Sequence, residues 1–229
     1  MSFIVAIDGP TSSGKSTIAN IIAKELGFVY IQTGAMYRCV TLELLNNKVS
    51  LSNSEQIRKI LERINIYFVK GQKRQRVIMN GKDVTELIRT KNVTDYCSDV
   101  ASLSEVRHKL LQEQRRMSSY SNVVVEGRDT GTTVFPNADV KFFLTANPIV
   151  RAKRKQQELA QLGENLELIN VLKSMYKWDE DAIKRKDGAL KRAKDSIFID
   201  SSEMSVEELK GKMMGFIKEK YKEKEEKYI

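Results

Sequence analysis

Gly9-Pro10-Thr11-Ser12-Ser13-Gly14-Lys15-Ser16, extended by Thr17, satisfies the pattern G-x-x-x-x-G-K-[ST]. It follows Phe3-Ile4-Val5-Ala6-Ile7, a continuous β-prone run of the kind buried on both faces of a sheet. It precedes Ile18, Ile21, Ile22 and Leu26 at helical spacing, with Gly27 where a helix C-cap belongs. Strand, glycine loop and helix in that order are the context in which this pattern cradles phosphate. The glycines let backbone N–H groups curl round the anion, and the helix N-terminus adds partial positive charge. The residues from Gly9 to Thr17 are therefore expected to hold a nucleoside triphosphate. Lys15 should reach its β/γ-phosphates, and the Ser16 hydroxyl should ligate Mg²⁺. Asp8, ending the strand, is placed either to hold waters of that ion or to organise the loop.

Outward from the loop, Phe28-Val29-Tyr30-Ile31, Val123-Val124-Val125, Val140 to Leu144 and Ile197-Phe198-Ile199 read as four more strands, with helical stretches between them. That alternation predicts an α/β fold of the P-loop NTPase type, three layers around a five-stranded parallel sheet. One segment breaks the rhythm. Ile66 to Val69, Val77 to Met79 and Val84 read as short strands, and Asn80-Gly81 is a type I′ hairpin signal. A small antiparallel insertion is expected there. Residues 149–192 are charged, poor in Gly and Pro, and helical in pattern, as a lid would be. The whole chain reads as one working unit. Its core covers about 1–35, 93–148 and 193–229, its insertion about 36–92 and its lid about 149–192.

Composition narrows the function. The 229 residues are 41% apolar and 7% aromatic, enough for one sizeable core and too much for a disordered chain. No run of 18 apolar residues exists, Met1 to Asp8 lacks a basic leader region, and Cys39 and Cys97 match no metal or redox spacing. A reduced, cytoplasmic protein is expected. The 39 basic and 30 acidic residues give +9. Residues 70–91 carry seven Lys/Arg against two acids, and residues 149–194 carry twelve against seven. Two local basic segments suggest either phosphate handling at a site or exposed helix charge, whereas a duplex binder would more often carry a stripe or tail. Lys218 to Ile229 reads as a solvated helix face.

Neither the guanine-reading N-K-x-D nor the switch D-x-x-G of a signalling GTPase occurs, and Val123-Val124-Val125 runs into Glu126-Gly127-Arg128-Asp129 rather than the Asp-Glu of a motor ATPase. A small-molecule kinase needs a second anionic pocket, cations that offset developing charge, and lids that exclude water. The two basic segments supply candidates for both lids.

Thr33-Gly34-Ala35-Met36-Tyr37-Arg38 and Glu126-Gly127-Arg128-Asp129-Thr130-Gly131-Thr132 resemble the bacterial cytidylate kinases. The similarity runs on through Val134-Phe135-Pro136, Lys141 to Leu144 and Ile199-Asp200-Ser201, and so covers nearly the whole chain. The resemblance implies ATP as donor with Mg²⁺, CMP and dCMP as acceptors, a monomer, and no nucleic-acid or membrane partner. Within it, Arg38 and Arg128 correspond to arginines on the acceptor phosphate, a role that suits a bidentate guanidinium. Thr33, Ser98, Arg107 and Asp129 correspond to residues around cytosine and its sugar, where an Asp accepts from the N4 amine and an Arg donates to the ring. Arg151, Arg154 and Lys155 correspond to lid cations on the triphosphate, and Arg185 to an arginine that reaches the acceptor once the lid closes. A kinase of another small acceptor, such as shikimate or a different nucleoside monophosphate, is the same-class alternative. A nucleic-acid-stimulated ATPase is the different-class one.

The chain departs from the family pattern at Gln32, where Asp is usual, and in the lid. There R-D-x-x-D-x-x-R becomes Trp178-Asp179-Glu180-Asp181-Ala182-Ile183-Lys184-Arg185. Asp179, Arg185 and Leu190 fit, while Trp178 and Ala182 stand at the positions associated with the sugar. Weak discrimination between CMP and dCMP is the expectation.

Overall fold

In the computed structural model, which describes residues 2–71, 75–161 and 163–227, the chain runs β1 (Ile4–Asp8), α1 (Lys15–Leu26), β2 (Val29–Gln32), α2 (Thr33–Asn46), α3 (Ser54–Arg63), β3 (Ile66–Val69), β4 (Arg76–Met79) and β5 (Lys82–Asp83). After a short 3₁₀ turn come α4 (Lys91–Ser102), α5 (Ser104–Ser118), β6 (Val123–Gly127), a π-turn at Thr130–Val134, β7 (Val140–Thr145), α6 (Pro148–Gln161), α7 (Leu168–Lys184), β8 (Ile197–Asp200) and α8 (Val206–Glu226). Lys73 and Arg74 of the first basic segment, and the last two residues of the terminal helix face, lie outside the described residues. The chain divides into two compact units, Met1–Tyr30 with Ser118–Ile229, and Ile31–Met117.

The first unit is built on the expected parallel sheet, in the order β2-β6-β1-β7-β8. β1 is central, with Ala6 opposite Val125 on one side and Lys141 on the other. Its apolar run is continuous because Val5, Ala6 and Ile7 are all fully buried. α1 and α8 pack together and send Ile18, Ile22, Met213 and Ile217 into one cluster with Ile7, Phe142 and Leu144. A capping box between Ser205 and Glu208 starts α8. The charged segment is helical as its pattern predicts, and its two helices, α6 and α7, share a small cluster of Ala152, Val171 and Met175 with Leu159, Leu168, Leu172 and Trp178 against it.

The second unit carries the antiparallel insertion, in the order β3-β4-β5. Asn80 and Gly81 adopt φ of 50° and 78°, the two positive values a type I′ turn requires. Met79 consequently pairs with Lys82, and Val84 lies just past β5 as a buried residue. α2 packs on α4, and α3 turns Ile57, Ile60 and Leu61 inward.

Candidate active site

Because the large sheet is parallel, the loops after β1, β6, β7 and β8 leave from the same edge, where ligands of open α/β sheets bind. The first of them is tightly constrained. A Cβ on Gly9, which has φ 153°, would stand 1.9 Å from the Leu144 carbonyl oxygen of β7, so no side chain fits there. Gly14 caps α1 at φ 94°, and Ser12 takes φ 57°, a value a serine adopts at some cost and that recurs in ligand-binding loops. Lys15 lies under the loop rather than in solvent, its Nζ donating to the Pro10 carbonyl at 2.7 Å and to Ser13 Oγ at 3.4 Å. Burial, reinforced by the charge of Arg128, pushes its ammonium down to about 8, against the opposing pull of Glu126, Asp179 and Asp8.

Ser16 Oγ donates to Glu126 Oε1 at 3.0 Å, and Tyr30 donates to the same oxygen at 3.4 Å. Glu126 is buried at the end of β6. A hydroxyl and a carboxylate this close are hard oxygen donors, and they suit an ion such as Mg²⁺ that completes its shell with phosphate oxygens and water. Asp8 is committed elsewhere. Its Oδ1 accepts from the Thr130 amide and hydroxyl, both at 2.8 Å, and its Oδ2 from the Gly131 amide at 2.7 Å. The loop these bonds organise is the π-turn after β6, not the phosphate loop expected from the sequence. Burial raises its carboxyl to about 6 despite those three bonds.

Two arginines expected at the triphosphate and the acceptor meet on one side chain. Asp179 of α7 accepts from Arg128 Nη1 at 2.9 Å on Oδ1 and from Arg151 Nη1 at 2.6 Å on Oδ2. Thr11 of the phosphate loop adds its amide and its hydroxyl to Oδ1, each at 2.8 Å. Arg128 Nη2 also reaches Thr11 Oγ1 at 2.6 Å, and Arg151 Nη1 reaches the Thr11 carbonyl at 2.9 Å. Arg154 is instead turned to Ser201, donating to its carbonyl at 2.8 Å, while Ser201 Oγ donates to the Ser13 carbonyl at 3.1 Å. Lys155 pairs with Glu158 on its own helix at 3.1 Å. Arg185 is half-buried, one residue past the end of α7.

In the second unit Arg38 is tied to Thr94 Oγ1 at 2.7 Å and to the Ile88 carbonyl at 3.1 Å. Arg107 does not face solvent as a charged helix allows. It is buried, with its guanidinium 5.7 Å from the Tyr37 ring centre. Thr33 is buried at the start of α2, and Ser98 is half-buried on α4. Asp129, in the first unit, is buried where it precedes the π-turn. His108 is exposed beside Gln112, and Cys39 is a fully buried core residue.

Two residues gain importance from the geometry. Glu126 has no role of its own in the sequence reading, where it fails a motor-ATPase pattern and opens a family motif, although an acid ending a strand beside a phosphate loop is itself a signal. Asp179 stands out only as a lid position that fits.

The family model described as cytidylate kinase matches residues 5–219. A cytidylate kinase of Carboxydothermus hydrogenoformans is 42% identical over 213 residues, 93% of this chain and 96% of that one. One from Caldicellulosiruptor bescii is 41% identical over 210 residues, covering 92% and 93%. Among solved structures, an uncharacterized protein from Eubacterium ventriosum superposes with a TM-score of 0.54 at 12% identity, covering 95% of this chain and 99% of that one, a likeness of fold alone.

Proposed function

The chain belongs to the cytidylate kinase family, and we propose from its site that it moves the γ-phosphoryl group of ATP, with Mg²⁺, onto CMP and dCMP. Family membership carries the acceptor. The observation that carries phosphoryl transfer is the convergence of Arg128, Arg151 and the Thr11 amide on one anion position beside the phosphate loop. Such preorganised donors stabilise charge spread over a transferring phosphoryl group, which is most of what this chemistry asks of a protein.

The residues then divide the work. The loop from Gly9 to Thr17 seats the triphosphate, and Lys15 offsets charge on the β/γ oxygens. Ser16, with Glu126 behind it, would hold Mg²⁺, which would supply neutralisation of the phosphate charge there. Arg128 and Arg38 serve the acceptor phosphate, Arg185 reaches it once the lid closes, and Arg151, Arg154 and Lys155 are the lid cations on the triphosphate. Thr33, Ser98, Arg107 and Asp129 serve the nucleoside. An acceptor phosphate oxygen is already anionic, so no strong base is required. We assign the core, insertion and lid to the ranges the sequence suggests, and we place the protein as a cytoplasmic monomer whose partners are small nucleotides.

ADP formation from ATP, with CMP, dCMP, UMP, AMP, shikimate or polynucleotide offered in turn, tests this reading. CMP and dCMP are expected to turn over well above the rest. Equal use of AMP and CMP would point to a broader nucleotide kinase, and stimulation by polynucleotide alone to an ATPase.

A further inference from the structure

Asp179 carries more than a lid helix requires. Its carboxylate is buried and accepts four hydrogen bonds, from two guanidinium groups and from the amide and hydroxyl of one residue of the phosphate loop. Every one of those donors is of a type that binds phosphate oxygens. Without an anion at this point, the buried Arg151 and the partly buried Arg128 would be two unopposed cations beside the buried Lys15, which already feels the charge of Arg128. Asp179 comes from α7, so its bonds to Thr11 and Arg128 also join the lid helix to the loops after β1 and β6.

Resting on the reading of these residues as nucleotide binders, we propose that Asp179 is a positioning residue that stands in for a nucleotide phosphate. In the nucleotide-free chain it keeps Arg128, Arg151 and Thr11 converged. When nucleotide arrives it yields Arg151 and Thr11 to oxygens of the triphosphate and frees Arg128 for the acceptor phosphate, and α7 is released from the loop. A polyphosphate carries more charge and more acceptor oxygens than one carboxylate, so the exchange runs toward nucleotide. The cost is a lowered apparent affinity, because only the fraction of molecules with Asp179 displaced is competent to bind.

Trp178, the adjacent residue, is the only tryptophan of the chain and packs against the lid's small cluster. Its emission therefore reports on α7. In the wild type, saturating ATP or tripolyphosphate should shift that emission. Asp179→Asn keeps an acceptor oxygen but loses the charge, so its emission should start nearer the bound value. By calorimetry it should bind tripolyphosphate roughly five- to tenfold more tightly, with a lower KM for ATP, because the competing charge-assisted bonds are weakened. Asp179→Glu should restore the wild-type behaviour in part. A folded Asp179→Asn with equal or weaker tripolyphosphate affinity overturns the proposal and leaves the kinase reading intact. So does a wild type that binds ATP with Trp178 emission unmoved, a measurement that stands even if the variant fails to fold. A wild type that binds no ATP overturns the kinase reading and this inference with it.

Discussion

Ser16 Oγ and Glu126 Oε1, 110 residues apart in sequence, stand 3.0 Å from each other with the hydroxyl donating to the carboxylate. The bond aims the serine's lone pairs and places a buried negative charge beside the loop. Glu126→Gln keeps the shape and removes the charge. The Mg²⁺ concentration that half-saturates ATP binding should rise about tenfold or more, in line with losses at residues that support a bound metal. The KM for CMP should hardly change. Calorimetric titration of ATP at graded Mg²⁺ checks this, and an unchanged Mg²⁺ dependence would remove Glu126 from the metal's surroundings.

Lys15→Ala should cut turnover on the order of 10²-fold or more while the fold persists. Its ammonium is the one cation inside the loop, and removing a preorganised electrostatic contact of this kind costs that much. The fold should not suffer, because Lys15 is buried at an energetic penalty that shows in its lowered ammonium value. Steady-state kinetics with a melting curve separate the two effects. A variant with wild-type turnover would take the loop's lysine out of the chemistry.

The same lysine sets a pH dependence. In the free protein its ammonium titrates at about 8, below the 10.5 of an unburied lysine. Triphosphate oxygens favour the charged form, so binding raises that value. Below pH 8 the lysine is already charged and adds no pH dependence to ATP affinity. Above pH 8 binding must recruit a proton, and affinity should fall by up to tenfold per pH unit until the bound value is reached. Calorimetry at pH 8.5–9 in buffers of different ionisation enthalpy should show proton uptake, absent in Lys15→Ala. For stability the sign is separate. A lysine depressed on folding makes a contribution that is present above its unfolded value and lost as pH falls through 8.

What the sequence made legible was local. The phosphate loop is eight consecutive residues between a buried strand and an amphipathic helix, and Asn80-Gly81 prescribes its own turn, so both follow from the chain's short-range chemistry. The Asp179 network joins Thr11, Arg128, Arg151 and a helix 168 residues beyond the loop. No spacing rule encodes that. The burial of Arg107 is another long-range fact. A charged helix such as α5 gives no sign of which of its arginines turns inward, and only the packing beside Tyr37 settles it.

Asp129 should set the choice of base. It is buried directly after Arg128, and its carboxylate can accept from the N4 amine of cytosine, where uracil presents a carbonyl instead. CMP should be preferred over UMP in kcat/KM. Asp129→Ala should lower CMP turnover and narrow the gap between the two substrates. Asp129 also raises the Asp8 carboxyl through its charge, so a melting curve must accompany the kinetics. Loss of CMP and UMP activity in equal proportion would assign Asp129 to the π-turn rather than to the base.

The lid alters what can be tested about the sugar. Trp178 and Ala182 occupy positions where the family pattern has Arg and Asp; if those positions meet the sugar, as the resemblance implies, a charged acceptor for the 2′-hydroxyl and its supporting cation are both replaced. A hydrogen bond to a charged group is worth roughly 1.5–3 kcal/mol, about ten- to a hundredfold in specificity. The CMP/dCMP ratio of kcat/KM should accordingly be smaller than in relatives that keep both residues. Restoring the pair looks from sequence like the direct test, but the packing forbids it. Trp178 packs against the lid's own cluster, and Ala182 is 2% exposed with its carbonyl accepting the Leu190 amide. Trp178→Arg with Ala182→Asp would strip the cluster of its largest ring and bury a carboxylate, which costs several kcal/mol where no partner is built for it. The double variant should therefore lose lid structure and activity on both substrates alike. Asp181 offers the cleaner measurement, being only half-buried. Asp181→Ala should leave the CMP/dCMP ratio unchanged, because one step along a helix turns a side chain about 100° from its neighbour's direction. A selective loss on CMP with dCMP spared would put Asp181 at the sugar, and the family's ribose contact would then survive here one residue early.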